Sequence, residues 1–160
     1  YTAKDGEAGQ DFRQTVEDRG RIAQMVFAGF QRCLYSVQKF DSDTERRLAI
    51  ILDRDSQKWF RPVSGQFQIS YKLGVSVRDY QPDFVAETVD CIYILEPKAK
   101  NEMTSPEVLA KKDAAVIWCN RATAHALGNG GKPWKYILIP HDVIAENMTL
   151  AGLASQFVAC

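Results

Sequence analysis

The amino-acid sequence predicts one α/β domain built on a mixed central sheet of four to five strands flanked by helices. Three observations carry that expectation. Residues 67–73 alternate strictly, with Phe67, Ile69, Tyr71 and Leu73 on one side, the period of a half-buried strand. Residues 91–97 include Cys-Ile-Tyr-Ile-Leu, apolar on both faces, which suits the middle of a sheet. A long helical stretch separates this strand from another apolar run at 134–139. A strand–helix–strand step of that length closes as a right-handed parallel crossover.

The other elements follow in chain order. Residues 1–10 are polar and Gly-containing, and are expected to fray, leaving 11–160 as a single domain. Over 12–37, Phe12, Val16, Ala23, Val26, Phe27, Phe30, Leu34 and Val37 recur at helical spacing, which predicts an extra N-terminal helix weakened at Gly20 and Gly29. A second helix is expected over 42–53, with Leu48, Ile51 and Leu52 inward. Residues 59–63 predict a short strand, and 83–87 and 91–97 predict a hairpin around Thr88-Val89-Asp90. Ser105 reads as an N-cap with Pro106 at the first helical position, and Gly128 as the stop. Pro140 ends the strand at 134–139, and 150–157 predicts a last short helix.

Composition narrows the function classes. With 160 residues, 46% of them hydrophobic, the chain can bury a core without disulfide staples. No apolar run approaches the roughly 18 residues of a membrane span and no signal-like opening occurs, so a cytoplasmic protein is expected. Twenty basic and twenty acidic residues cancel, which argues against holding nucleic acid by bulk charge alone. Cys33, Cys91, Cys119 and Cys160 form no C-x-x-C pair, and His125 and His141 are too scattered to complete a zinc site. Reduced, core-filling thiols are expected. No Walker A loop is present, so no nucleotide site is expected. The first residue is Tyr1, not Met, and the chain is expected to be a piece of something longer.

The chemistry-bearing segment is Tyr80-Gln-Pro-Asp-Phe84 followed by Leu95-Glu-Pro-Lys98. A hairpin turning between Val89 and Asp90 opposes Asp83 to Glu96, and directly opposed Cβ atoms lie about 5 Å apart. Lys98, two residues past Glu96, points to the same face. Two carboxylates so placed repel unless a cation lies between them. An oxygen-liganded ion such as Mg²⁺ resolves the repulsion, with the Pro97 carbonyl as a third ligand, and Lys98 is placed to orient or deprotonate an attacking water.

Pro82-Asp83…Glu96-x-Lys98 on a hairpin followed by an Ala-rich helix resembles the PD-(D/E)XK nuclease superfamily. Four segments narrow the resemblance: Phe40-Asp-Ser-Asp-Thr-Glu45, residues 80–84, residues 112–118, and Trp134-Lys-Tyr-Ile-Leu-Ile-Pro-His141. Together they are similar to the C-terminal endonuclease region of type III restriction-enzyme restriction subunits, which are DEAD/DEAH-type helicase-nucleases. The similarity spans roughly residues 20–153. It implies a restriction-endonuclease-like core (α-β-β-β-α-β) in which Asp83 and Glu96 bind Mg²⁺, with Mn²⁺ as a substitute, and Lys98 assists water attack on a phosphodiester. It also implies three partners: double-stranded DNA, helicase domains of the same parent chain, and a modification/specificity methyltransferase subunit. The sequence departs from the family pattern at Pro97. A proline removes a ladder N–H, which predicts a bulge or lost pairing there and a re-aimed Lys98.

Glu45 has two readings. Ser42-x-x-Glu45 is a capping box, in which Glu45 reaches back to the N-cap amide. The resemblance instead implies an auxiliary acid delivered by the first core helix. Over 98–135, seven Lys/Arg face three acids, which fits a modest phosphate-facing patch including Lys100, Lys111 and Lys112, with Lys112 favoured to reach the site. His141 is either a turn residue or a neighbour of the chemistry, since parallel strands share a C-terminal rim. Trp59, Trp118 and Trp134 are expected in the core. A non-cleaving module for DNA binding or subunit docking is the rival reading.

Overall fold

In the computed structural model, which describes residues 9–159, the N-terminal segment is not the helix its periodicity predicts. Three two-residue strands, β1 (Gln10–Asp11), β2 (Phe27–Ala28) and β3 (Val37–Gln38), form a small sheet, and a 3-10 turn occupies Arg19–Gln24. Local chemistry explains the correction. The Asp18 side chain accepts the Gly20 N–H, tightening the chain into a turn, and Gly29 sits at φ 91°, a left-handed conformation that breaks any helix. Part of the predicted apolar set still goes inward, while Ala23 and Leu34 are exposed. Phe12, Val16, Ile22 and Phe27 are buried, and Phe30 packs on Phe12 with ring centroids 4.3 Å apart. Residues 1–8 and Cys160 lie outside the described residues, while Gln10, expected to fray, pairs with Phe27.

Helix α1 (Asp43–Asp55) starts where predicted, with the Ser42 hydroxyl accepting the Glu45 N–H at 3.3 Å. Strand β4 (Lys58–Phe60) follows and stops before Pro62. The alternating segment forms β5 (Ile69–Leu73), but it pairs with β6 (Ser76–Tyr80) in a separate hairpin, not in the central sheet. Strand β6 escapes the sequence reading because Val77 is exposed and only Tyr80 is buried, so no apolar alternation marks it. Strands β7 (Phe84–Glu87) and β8 (Ile92–Lys98), helix α2 (Pro106–Gly128), strand β9 (Trp134–Pro140) and helix α3 (Leu150–Phe157) complete the chain. The Ser105 hydroxyl caps α2 at the Val108 N–H, as its sequence predicts.

The central sheet has the order β4-β7-β8-β9, with β8 and β9 parallel and the other pairs antiparallel. Alternation along its strands feeds two cores. Phe84, Ala86, Leu95, Ile137 and Ile139 face α1 and α3, whose Leu48, Leu52, Leu150 and Leu153 are buried against them. Ile94, Tyr136 and Leu138 face α2 and the β5–β6 hairpin, meeting Val108, Ala115, Cys119 and Tyr71. Trp59 is buried in the first core, while Trp118 and Trp134 pack edge-to-face at 5.0 Å beside the second. Among the described residues, no helix is long and apolar enough to cross a membrane.

Pro97 produces neither a bulge nor lost pairing. The β8–β9 ladder runs unbroken through Pro97↔Ile139 to Lys98↔Pro140. The Ile92 N–H points toward β9, donating to the Pro133 carbonyl, so by alternation the backbone polar groups of Pro97 point toward β7. Pairing with β7 already ends at Phe84↔Leu95, and one step further the same register sets Pro97 against Pro82. The missing N–H falls where no ladder bond is made.

Candidate active site

The register of β7 and β8 decides where the acids go. Phe84 pairs with Leu95 and Val85 with Ile94, which sets Asp83 against Glu96 at the end of the ladder. The Asp83 N–H donates to Glu96 Oε2 at 3.4 Å, in place of a further strand bond. Lys98 lies on the same face of β8 as Glu96, and its Nζ stands 3.2 Å from Glu96 Oε1 and 3.7 Å from Asp83 Oδ2. The three side chains predicted to converge do converge, on the α2 side of the sheet.

Their electrostatics are strained. Glu96 is 3% exposed. Burial, and then the Asp83 charge, push its carboxyl up from 4.5 to about 7 despite the ammonium beside it. Burial likewise raises Asp83 above its ordinary value, against the pull of Lys98 and Arg61. Burial works against the Lys98 charge too, but Glu96 and Asp83 outweigh it and hold the amine above 10.5. Lys98 is therefore an ammonium donor at neutral pH, not a resting base.

Glu45 forms one half of the predicted capping box through its N–H, but its carboxylate accepts the Asp41 N–H at 2.8 Å and not that of Ser42. The same Oε2 lies 3.0 Å from an Arg61 guanidinium nitrogen. Burial raises the Glu45 pKa, Arg61 opposes that rise, and the Asp83 charge adds to it. The first turn of α1 thus sits close enough to sense Asp83. Arg61 was missed by sequence reading. Its guanidinium lies over the rings of Phe40 and Phe84, 5.6 Å and 5.2 Å from their centroids, and pairs with Asp41 at 3.3 Å. No sequence motif marks this residue; its place follows from the β4–β7 pairing, in which continuing the Phe60↔Val85 register puts Arg61 opposite Phe84, next to Asp83. Beyond these groups opens a cavity of about 460 Å³, with Asp83, Pro82 and Arg61 among its lining residues.

The remaining candidates are more dispersed. Lys111 pairs with Glu107 at 2.8 Å and lies over Tyr71 and Tyr80. Lys112 makes no ion pair with Asp83 or Glu96 among the described residues. Lys100 reaches Asp142 at 3.6 Å, tying the turn after β8 to the turn after β9, where His141 follows Pro140. Lys132 binds Glu87 at the opposite end of the sheet. The basic run 98–135 is therefore divided between the two rims and largely ion-paired.

Among the described residues, no group of three or more His, Cys, Asp or Glu side chains is arranged to hold a metal ion. The donor set that fits one is smaller: the Asp83 and Glu96 carboxylates and the Pro97 carbonyl, which points to the β7 side where Asp83 stands. Hard oxygen donors from one or two carboxylates suit Mg²⁺, which keeps several waters of its own. Charge agrees, because four carboxylates (Asp41, Glu45, Asp83, Glu96) face two cations (Lys98, Arg61). Compared with known proteins, the chain matches no family model, no curated protein and no solved structure.

Proposed function

We propose that this chain is a Mg²⁺-dependent DNA endonuclease domain of the PD-(D/E)XK type, the cleavage module of a type III-like restriction helicase-nuclease. One observation carries the reading: the Lys98 ammonium stands within 3.7 Å of both the Asp83 and the Glu96 carboxylate, at the open end of a β-hairpin whose next hydrogen-bonding position is occupied by two prolines. The resemblance supplies the family, and the mixed sheet with α1 and α2 on its two faces is compatible with that core.

In this reading Asp83, Glu96 and the Pro97 carbonyl would hold a divalent ion, which would supply electrostatic stabilisation of the charge that builds on the phosphate. Every other contribution comes from the chain. Glu96, nearly excluded from water, fixes one ligand position. Lys98, an ammonium at neutral pH, donates to the attacking water and steadies developing negative charge; it does not take the proton. Glu45 acts as an auxiliary acid oriented through Arg61.

The ion pairs of Lys98 and Arg61 favour a second reading, in which the acids are a neutralised structural cluster inside a non-cleaving DNA-binding or docking module. Titration with Mg²⁺ or Mn²⁺ separates the two. The nuclease reading expects a saturable rise in thermal stability, and the module reading expects none. In the intact parent protein, Asp83→Ala and Lys98→Ala should each lower Mg²⁺-dependent cleavage of double-stranded DNA by about 100-fold or more. Unchanged cleavage in either variant refutes the assignment.

A further inference from the structure

We infer that the cavity beside Asp83 is a nucleoside subsite, taking one unstacked deoxynucleoside of the strand being cut, with the base inside and the phosphate at the Arg61–Asp83 end. The inference rests on the nuclease reading for its placement and adds the form in which substrate is bound. Size comes first. At about 460 Å³ the cavity has the capacity of a small-molecule site, not of a duplex groove. Its lining has two characters. Tyr35, Val63 and Pro82 give apolar surface on which a flat heteroaromatic ring can lie, and Gln38, Ser64 and Gln81 bring amide and hydroxyl groups to match a base edge. The Gln38 and Gln81 amide nitrogens already donate to Cys33 Sγ and the Pro62 carbonyl, which turns their carbonyl oxygens and the Ser64 hydroxyl to the task of meeting a base edge.

The lining is also held in place before any ligand arrives. The Gln66 amide donates to the Tyr35 hydroxyl at 2.8 Å, and its carbonyl accepts the Val63 N–H at 3.1 Å. The Gln81 amide donates to the Pro62 carbonyl, and Arg61 donates to the Lys39 carbonyl. Charge then sets the orientation. Among the described residues, Arg61 and Lys39 are the two cations that line the cavity, and Arg61 is the one that acts on Asp83, so a phosphate there meets a guanidinium within reach of the candidate reaction centre. A base can enter only when unpaired, so the subsite selects single-stranded or locally opened DNA.

The test uses the full chain with 2′-deoxyadenosine 5′-monophosphate and 2-deoxyribose 5-phosphate as probes, followed by calorimetry, beside a Mg²⁺ thermal-shift titration. The nucleotide is expected to bind at least about tenfold tighter than the base-free sugar phosphate. Ser64→Trp, at an exposed loop position facing the cavity, should erase that preference while a preserved Mg²⁺ shift reports an intact acid pair. Val63→Phe serves the same purpose should Ser64→Trp not fold. Equal binding of the two probes, or a preference that survives the filled cavity, overturns the subsite even if Mg²⁺ stabilises the protein. A nucleotide preference without any Mg²⁺ shift upholds the subsite and refutes the nuclease reading.

Discussion

Glu96→Gln is expected to make the protein more stable at alkaline pH while removing its response to Mg²⁺. The substitution keeps the volume of a side chain that is 3% exposed, and it keeps a carbonyl to accept the Asp83 N–H. What it removes is a charge that the site disfavours, since the carboxyl is pushed from 4.5 to about 7 on folding. The folded protein therefore binds this proton more tightly than the unfolded chain does. Stability is fully present below about pH 4.5 and is lost as pH rises toward 7. That interval corresponds to about 3 kcal/mol of penalty on the wild type above pH 7. Lys98 loses one partner in the variant but keeps Asp83 at 3.7 Å, which offsets part of the gain. Urea denaturation with EDTA present should find the variant more stable by about 1–3 kcal/mol near pH 8, and the gap should close to under about 1 kcal/mol near pH 5. A variant equal to or weaker than wild type near pH 8 would show that the attraction between Lys98 and Glu96 exceeds the cost of burying the charge.

Three other perturbations probe the surroundings. Among the described residues the buried Tyr136 hydroxyl has no hydrogen-bond partner, so Tyr136→Phe should leave stability unchanged or raise it by about 1 kcal/mol; thermal denaturation showing a clear loss would contradict that reading. Asp53 accepts the Gln31 and Arg32 N–H groups and Trp59 Nε1, and Asp53→Ala should cost about 3–5 kcal/mol in chemical denaturation by orphaning those donors. Arg61→Gln removes one of two cations beside the acids, so Mg²⁺ should bind about five- to tenfold tighter by calorimetry; unchanged or weaker binding would mean that Arg61 does not act on the ion's position.

Much of the site could be read from residues 80–98 because a hairpin register depends on a turn and an alternation, both local. The Thr88–Cys91 turn, closed by the Thr88 N–H to the Cys91 carbonyl at 2.8 Å, fixes which residues face one another, and the acid pair follows. The helix starts at Ser42 and Ser105 were equally local, since each is a hydroxyl capping its own first turn. Legibility ended where long-range packing outweighs local preference. Residues 12–37 bury their aromatics against α1 and the sheet while adopting short strands, because two glycines and Asp18 make helix a poor local choice. Arg61 was hidden for a related reason: no motif marks it, and its partners come from two segments distant from it in sequence, Asp41 and Glu45 in one and Asp83 in the other.

Pro82 and Pro97 connect the fold to the chemistry proposed for it. An antiparallel pair continues as long as both strands can exchange N–H···O bonds, and here the next hydrogen-bonding position beyond Phe84↔Leu95, Pro82 against Pro97, has no N–H on either side. The strands must part at that point, which leaves Asp83 and Glu96 at the last place where two opposed side chains still share one face. On the other edge of β8 the parallel ladder continues to Lys98↔Pro140, so the strand carrying Glu96 and Lys98 stays rigid while its β7 side opens. A site that must admit a bulky anion and still hold its groups in fixed geometry needs that combination of an open edge and a braced strand. A proline that looked like damage to the motif is better understood as one of two residues that create the opening.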